Sequence, residues 1–350
     1  MPYVPEHVHL VGSVGLPSGA EVFRTCGRTL GRRLRRIPDG EPGGRRLWIS
    51  WQIPLLRANP FFQLAGPPRD PGQQIFGPLR LADGVRPEDV RFDELGYALE
   101  ARASYQDFLE ARARGDLPQH VRFQVSLPTP YAVVWGQFVT EALPVAFQAY
   151  TKAMLREVRQ ICDRIPHADL AIQWDVCFEM AIWDGSAGFF RWLLAGEPRT
   201  EIVKHLERIS QAVPRAVELG YHLCYGDLDA KHFFNPKDAR AIVELSNAIA
   251  AHVERPIAYI HVPVPIDRTD DAFFQPFDEL RLAAGTELYL GVVHARDGIE
   301  GLNKRIAAAS RHVRSFGIAT ECGMARARTP DVVQNLLAIH AAGSREPSGE

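Results

Sequence analysis

The stretch GYHLCYGD (220–227) decides the fold, because 220–224 reads as a short apolar strand that carries polar residues at its end. Residues two apart on a strand point to the same face, so His222 and Cys224 face the same way without any special loop. Seven further apolar, β-branched runs occur around 7–12, 33–38, 121–126, 169–174, 258–263, 288–293 and 317–321. Stretches of helical periodicity lie between most of them, such as 97–114, 145–162, 201–218 and 300–315, with Arg, Glu and Lys opposite apolar stripes. Eight alternating strand and helix units predict an α/β protein, a single (β/α)8 TIM barrel with the helices as its outer ring.

The second connection breaks the rhythm. Residues 40–96 contain Pro and Gly repeatedly, as in IPLLRANPFFQLAGPPRDPG (53–72), and a loop this long inside a compact domain is usually functional, here expected as a lid. The expected organisation is therefore one catalytic barrel over 1–343, with 40–96 as a long insertion after strand two and 344–350 as a disordered tail. No internal repeat or low-complexity tract interrupts it.

Barrel active sites lie at the C-terminal ends of the strands, and the polar residues fall there. Ser13 follows HLVG, Asp39 and Glu41 follow RRIP, Ser126 closes RFQV and Asp175 closes AIQW. His261 lies within AYIHVP, His294 follows LGVV and Cys322 follows GIATE. One His and two Cys, His222, Cys224 and Cys322, form the thiolate-rich part of a Zn²⁺ site. Soft sulfur ligands select zinc over Mg²⁺ or Ca²⁺, and an incomplete protein shell leaves a position for catalysis. Cys26, Cys162 and Cys177 have no comparable neighbours in the sequence and are expected as small buried core residues.

Bulk properties exclude other classes. The chain has 350 residues, 46% hydrophobic and 23% charged, with a formal net charge of -2, which gives no electrostatic reason to expect nucleic acid. Five cysteines, an odd number in a chain too long to need staples, point to a reducing compartment. The opening MPYVPEHVHL lacks a basic segment followed by an apolar core, and no apolar run approaches the roughly 20 residues of a membrane span. The expectation is a cytoplasmic protein with neither nucleic acid nor membrane as partner.

Six stretches, VGSVGLP (11–17), IPDGE (37–41), IQWD (172–175), HLCYGD (222–227), LGVVHARD (290–297) and ECGMAR (321–326), resemble the C-terminal catalytic barrel of cobalamin-independent methionine synthase. That barrel belongs to a larger grouping that includes uroporphyrinogen decarboxylase. The resemblance implies that His222, Cys224 and Cys322 match zinc ligands and that Ser13, Glu41 and Asp175 match positions holding the amino-acid end of homocysteine. Ser126 joins the substrate-binding set, and Trp135, in YAVVWG (131–136), falls where the family places an aromatic beside the pterin.

Three departures stand out. His261 replaces the family's zinc-ligating Glu and is itself a candidate ligand. His294 and Arg296 stand where the family has an Asp-x-His whose His donates a proton, and Arg is a poor general acid. A second, N-terminal barrel that binds the folate tail does not fit in this chain length.

The expected reaction is methyl or alkyl transfer to a small thiol, with Asp175, His294 and Arg296 as catalytic candidates. Zinc ionises the thiol, and a donor that leaves without protonation, such as a methyl-corrinoid or corrinoid protein, fits better than polyglutamyl methyl-folate. Two alternatives remain open. His7-Val8-His9, with His222 and His261, matches the metal pattern of amidohydrolase barrels, which activate water. A non-catalytic metal- or pterin-binding module is the other. The arginine cluster Arg24, Arg28, Arg32, Arg33, Arg35 and Arg36 reads as a solvated face or as a steering patch, and His232 and His312 as surface or core residues.

Overall fold

The structure, a computed structural model, describes residues 3–66, 78–227 and 231–347. Nine strands are present among these: β1 (Arg36–Pro38), β2 (Phe62–Leu64), β3 (Leu79–Leu81), β4 (Arg122–Pro128), β5 (Leu170–Val176), β6 (Glu218–Leu223), β7 (Tyr259–Pro263), β8 (Glu287–Val293) and β9 (Gly317–Thr320). Seven of them form one parallel sheet in the order β1-β4-β5-β6-β7-β8-β9, curled into a half-barrel, with helices in the connections. Helices Gly19–Leu30 and Tyr97–Ala113 pack on β4 through Phe23, Phe108 and Phe123, whose ring centroids lie 5.6 to 6.2 Å apart. No helix is long and apolar enough to cross a membrane among the described residues.

The sheet has seven strands where eight were expected. The run 7–12 contributes one residue, Val8, which bridges Leu34 on one edge and Ile318 on the other, both in parallel. The reason lies in its carbonyls. Gln124 Nε2 donates to Leu10 O and Val11 O, Gln173 Nε2 donates to Val11 O at 2.6 Å, and Ser126 Oγ donates to the same oxygen at 3.1 Å. Each backbone acceptor needs a partner, and here side chains of β4 and β5 take the place of a ladder.

The insertion has structure of its own. A kinked 3-10 helix over Gly43–Gln52 leads into helix Ile53–Ala58, and β2 pairs with β3 antiparallel. Phe62 anchors it, meeting Phe92 at 5.7 Å and Phe138 at 4.8 Å. Residues 67–77 of this expected lid lie outside the described residues. Helix Pro198–Gln211 stops well short of the predicted 218, because Pro214 offers no N–H to continue it and Glu218 already belongs to β6. Of the expected tail, 344–347 are described, and Arg345 N donates to Pro5 O at 2.8 Å. The last three residues, 348–350, lie outside.

Candidate metal centre

Register sets the centre. Parallel pairing places Asp175 beside His222 and His222 beside His261, so three consecutive strands present one polar row near their C-terminal ends. Just beyond β6, Cys224 N donates to Val176 O at 3.0 Å, and Cys322 follows the end of β9. One ring nitrogen of His222 and the two sulfurs lie within 4.8 Å of one another, all three residues buried, with the sulfurs 3.8 Å apart.

The hydrogen bonds assign the imidazole tautomers. His261 Nε2 contacts Thr320 O at 3.0 Å, and a carbonyl only accepts, so this nitrogen carries the proton. His261 Nδ1 then accepts from His222 Nδ1–H across 2.7 Å. The consequence falls on the remaining nitrogen. His222 Nε2 is left with a free lone pair, buried and without a partner. Burial, reinforced by His261, pushes the His222 pKa well down, and burial takes His261 to about 3, so both rings are neutral at physiological pH. A neutral imidazole with an unpaired lone pair, held by a hydrogen bond through its other nitrogen, is the form that binds a metal.

The thiols need a cation to ionise. The neighbouring Cys177 thiol and burial raise the Cys224 pKa well above its ordinary value, and Cys224 and burial do the same to Cys322. Two sulfurs and an imidazole form a donor set suited to zinc. His222, Cys224 and Cys322 are the residues that fit the ion; His261 faces His222 through Nδ1 rather than joining them.

Carboxylates stand across the same cavity. Glu41, Asp175 and Ser13 line it together with the His222–Cys224–Cys322 group. Asp175 accepts from Gln173 Nε2 at 2.8 Å and from Trp48 Nε1 at 3.2 Å, yet burial lifts its pKa to about 7. Burial, then the charges of Asp175 and Asp39, lifts Glu41 to about 8. Gly323 lets the chain pass closely here, since a Cβ at that position would meet Ser13 Oγ at 2.2 Å. The three non-glycine residues with positive φ among the described residues are Glu41, Trp48 and Ala327, at 50°, 55° and 49°. Two of these line the cavity and the third follows Arg326, which also lines it, so backbone strain concentrates at its rim.

Other expected site residues lie apart. Ser126 borders a neighbouring cavity that shares Glu41. Half-buried Trp135 donates from Nε1 to Arg191 O at 3.3 Å and packs on Phe178 and Phe190 at 4.9 and 5.1 Å. His294 is buried, with Nε2 donating to Val264 O at 3.0 Å and Nδ1 at 3.2 Å from Glu321. Arg296 is exposed in the turn after β8. Neither His294 nor Arg296 lines the cavity. His7 and His9 stand outside the metal-capable group: His7 contacts Arg35 at 3.0 Å, and His9 contacts Gln173 at 2.9 Å.

Sequence reading missed four residues. Cys177 is buried in the core as expected but also lines the cavity, since it lies one residue beyond the Val176–Leu223 pair and so beside Cys224. Trp48 and Arg326 also line the cavity, one from the insertion and one from beyond β9. Glu321 receives His232 at 3.1 Å as well as His294. Burial pushes its pKa up, but those two histidines outweigh it and hold the carboxyl at about 2.

No protein-family model and no curated protein sequence matches this chain. Solved structures do. The chain is similar to a protein assigned as a vitamin-B12-independent methionine synthase from Listeria monocytogenes, with a TM-score of 0.55 and 11% sequence identity over 98% of this chain and 99% of that one. It is similar also to a B12-independent methionine synthase from Shewanella sp. W3-18-1 in complex with selenomethionine, with a TM-score of 0.54 and 13% identity over 95% and 97%. At these identities the likeness establishes a shared fold.

Proposed function

We propose that this chain is a zinc-dependent enzyme that transfers a methyl or other alkyl group to a small, homocysteine-like thiol. The carrying observation is the unpartnered Nε2 lone pair of His222 beside two buried cysteine sulfurs. When bound, Zn²⁺ supplies the positive charge that lets a substrate thiol ionise near neutral pH. His222, Cys224 and Cys322 hold the ion, and His261 fixes the His222 ring and its tautomer. We also read the two Val8 bridges as closing the sheet into an eight-unit barrel, with this site at its mouth.

Glu41 and Asp175 receive the ammonium group of the acceptor. Burial leaves both short of counter-charge, and an entering cation supplies it. The Ser13 hydroxyl, which accepts from Ala325 N at 3.4 Å, keeps its own proton free to donate to the acceptor's acid end. The thiolate sulfur attacks the donor carbon as the bond from that carbon to the leaving group breaks. His294 is engaged through both nitrogens, so protonation of a poor leaving group has no free acid there. A methyl-corrinoid, free or on a corrinoid protein, therefore fits as donor. Polyglutamyl methyl-folate does not.

The test pairs homocysteine with methylcobalamin, methyl-folate and a simple activated alkyl donor, with the product identified by mass. A thioether formed best from methylcobalamin or the simple donor is expected. Methyl-folate emerging as the best donor by kcat/KM makes the enzyme a methionine synthase proper, and no thioether from any pairing contradicts the proposal.

A further inference from the structure

We propose that Arg326, braced by Trp48, is the specificity-determining residue of this cavity, an anchor that selects thiol acceptors carrying an acid group. The inference rests on the reading that the cavity receives a thiol at His222, Cys224 and Cys322. Arg326 lines the same cavity as those three residues and as Glu41 and Asp175. Its Nη1 donates to Asp227 O at 2.9 Å, and no ion pair to it is present among the described residues. A guanidinium has five N–H donors, so most of its capacity is left for a ligand. The Asp227 carboxylate is shared, because Arg328 pairs with it at 3.4 Å and it acts on both guanidiniums.

Trp48 makes the arrangement directional. Its backbone sits at φ 55°, a conformation that is strained for a non-glycine residue and persists only where the surroundings enforce it. In that position its ring lies under the Arg326 guanidinium at 5.9 Å, while its Nε1 donates to Asp175 Oδ2 at 3.2 Å. One indole thus contacts both a cation and a carboxylate that line the cavity. An acceptor with an ammonium toward Asp175 and Glu41 and an acid group toward Arg326 satisfies both. A thiol with only an amine leaves the guanidinium without its anion, the kind of unpaired polar group that enzymes use to reject analogues. Arg is suited to the task because its planar fork meets a carboxylate with two parallel hydrogen bonds.

The experiment uses the zinc-loaded, full-length protein and three thiols of one chain length. Homocysteine carries amine and carboxylate, 4-mercaptobutanoate lacks the amine, and 3-aminopropane-1-thiol lacks the carboxylate. Calorimetric Kd values are measured for wild type, Arg326→Gln and Arg326→Lys, with zinc content checked in each. Arg326→Gln is expected to weaken homocysteine and 4-mercaptobutanoate by about 10- to 100-fold and to leave 3-aminopropane-1-thiol within about twofold. Arg326→Lys, which keeps the charge and protects against a merely structural failure, recovers part of that loss. Equal weakening of all three thiols, or no weakening, overturns the anchor while leaving the thiol site standing. Binding of none of the three by the wild-type protein overturns both readings together.

Discussion

Two buried polar clusters sit on opposite ends of the same sheet, and they are built on opposite principles. At the N-terminal end, Arg36, only 4% exposed, meets Glu218 at 2.5 Å and Glu287 at 2.7 Å, and lies over the Tyr259 ring at 4.5 Å. Arg122 and Arg35 complete the neutralisation at 2.9 Å each. At the C-terminal end, His222 Nε2 has no partner, two thiols face each other, and Glu41 and Asp175 are held near neutrality by burial. A satisfied charge cluster stabilises or merely specifies a fold. An unsatisfied one costs stability and is kept where a ligand completes it.

That contrast yields graded tests. The largest effect on stability is expected from Arg36→Met, which strands Glu218 and Glu287. It should cost about 3 kcal/mol in urea unfolding, toward the lower end for a broken buried pair because Arg35 and Arg122 remain. Zinc content should be unchanged. Loss of zinc on that substitution would erase the distinction between the two ends.

His261→Ala sharpens the other side. It removes the acceptor for His222 Nδ1–H and frees the ring to turn, so zinc affinity should fall about 10- to 100-fold in a competition titration. Unchanged affinity would place His261 outside the centre, and a much larger loss would make it a ligand.

The smallest effect concerns Glu41. Its folded pKa of about 8 lies above its ordinary value of 4.5, so the native state holds the proton more tightly than the unfolded state. Stability is therefore lost as pH rises from about 4.5 to about 8, and the charges of Asp175 and Asp39, which act on it, spread that loss over the cluster. Glu41→Gln should raise Tm at pH 8 and leave it nearly unchanged at pH 4.5, while weakening any amine-bearing thiol. A lower Tm at pH 8 would mean that Glu41 is a structural partner rather than a waiting one.

The two ends were unequally legible in the sequence. His222 and Cys224 could be paired because strand periodicity is fixed, and Ser13, Glu41, Asp175 and Cys322 because each follows an apolar run, where strand ends are expected. Arg36 reads in the sequence only as part of an arginine cluster, a solvated face or a steering patch, since nothing local reveals that Glu218 and Glu287 converge on it from β6 and β8. Cys177 escaped for the same reason: its neighbour Cys224 is set by the register between β5 and β6, which no single strand encodes. Trp48 and Arg326 lie in connections whose paths depend on kinks at positive φ, at Trp48 and Ala327. The run 7–12 looked like a strand by composition, and only the side chains of Gln124, Gln173 and Ser126 show why it pairs through Val8 alone.

The central claim is that the unsatisfied end is a zinc centre built by Cys224 and Cys322, and metal analysis tests it most directly. Protein purified without added metal is compared as wild type, as the double variant Cys224→Ser, Cys322→Ser, and as Cys26→Ser, whose buried thiol is pushed up to about 12 by burial and lines no part of the cavity. About one zinc per chain is expected in the wild type and in Cys26→Ser, and none in the double variant. Stoichiometric zinc surviving in the double variant, or lost on Cys26→Ser alone, would contradict it.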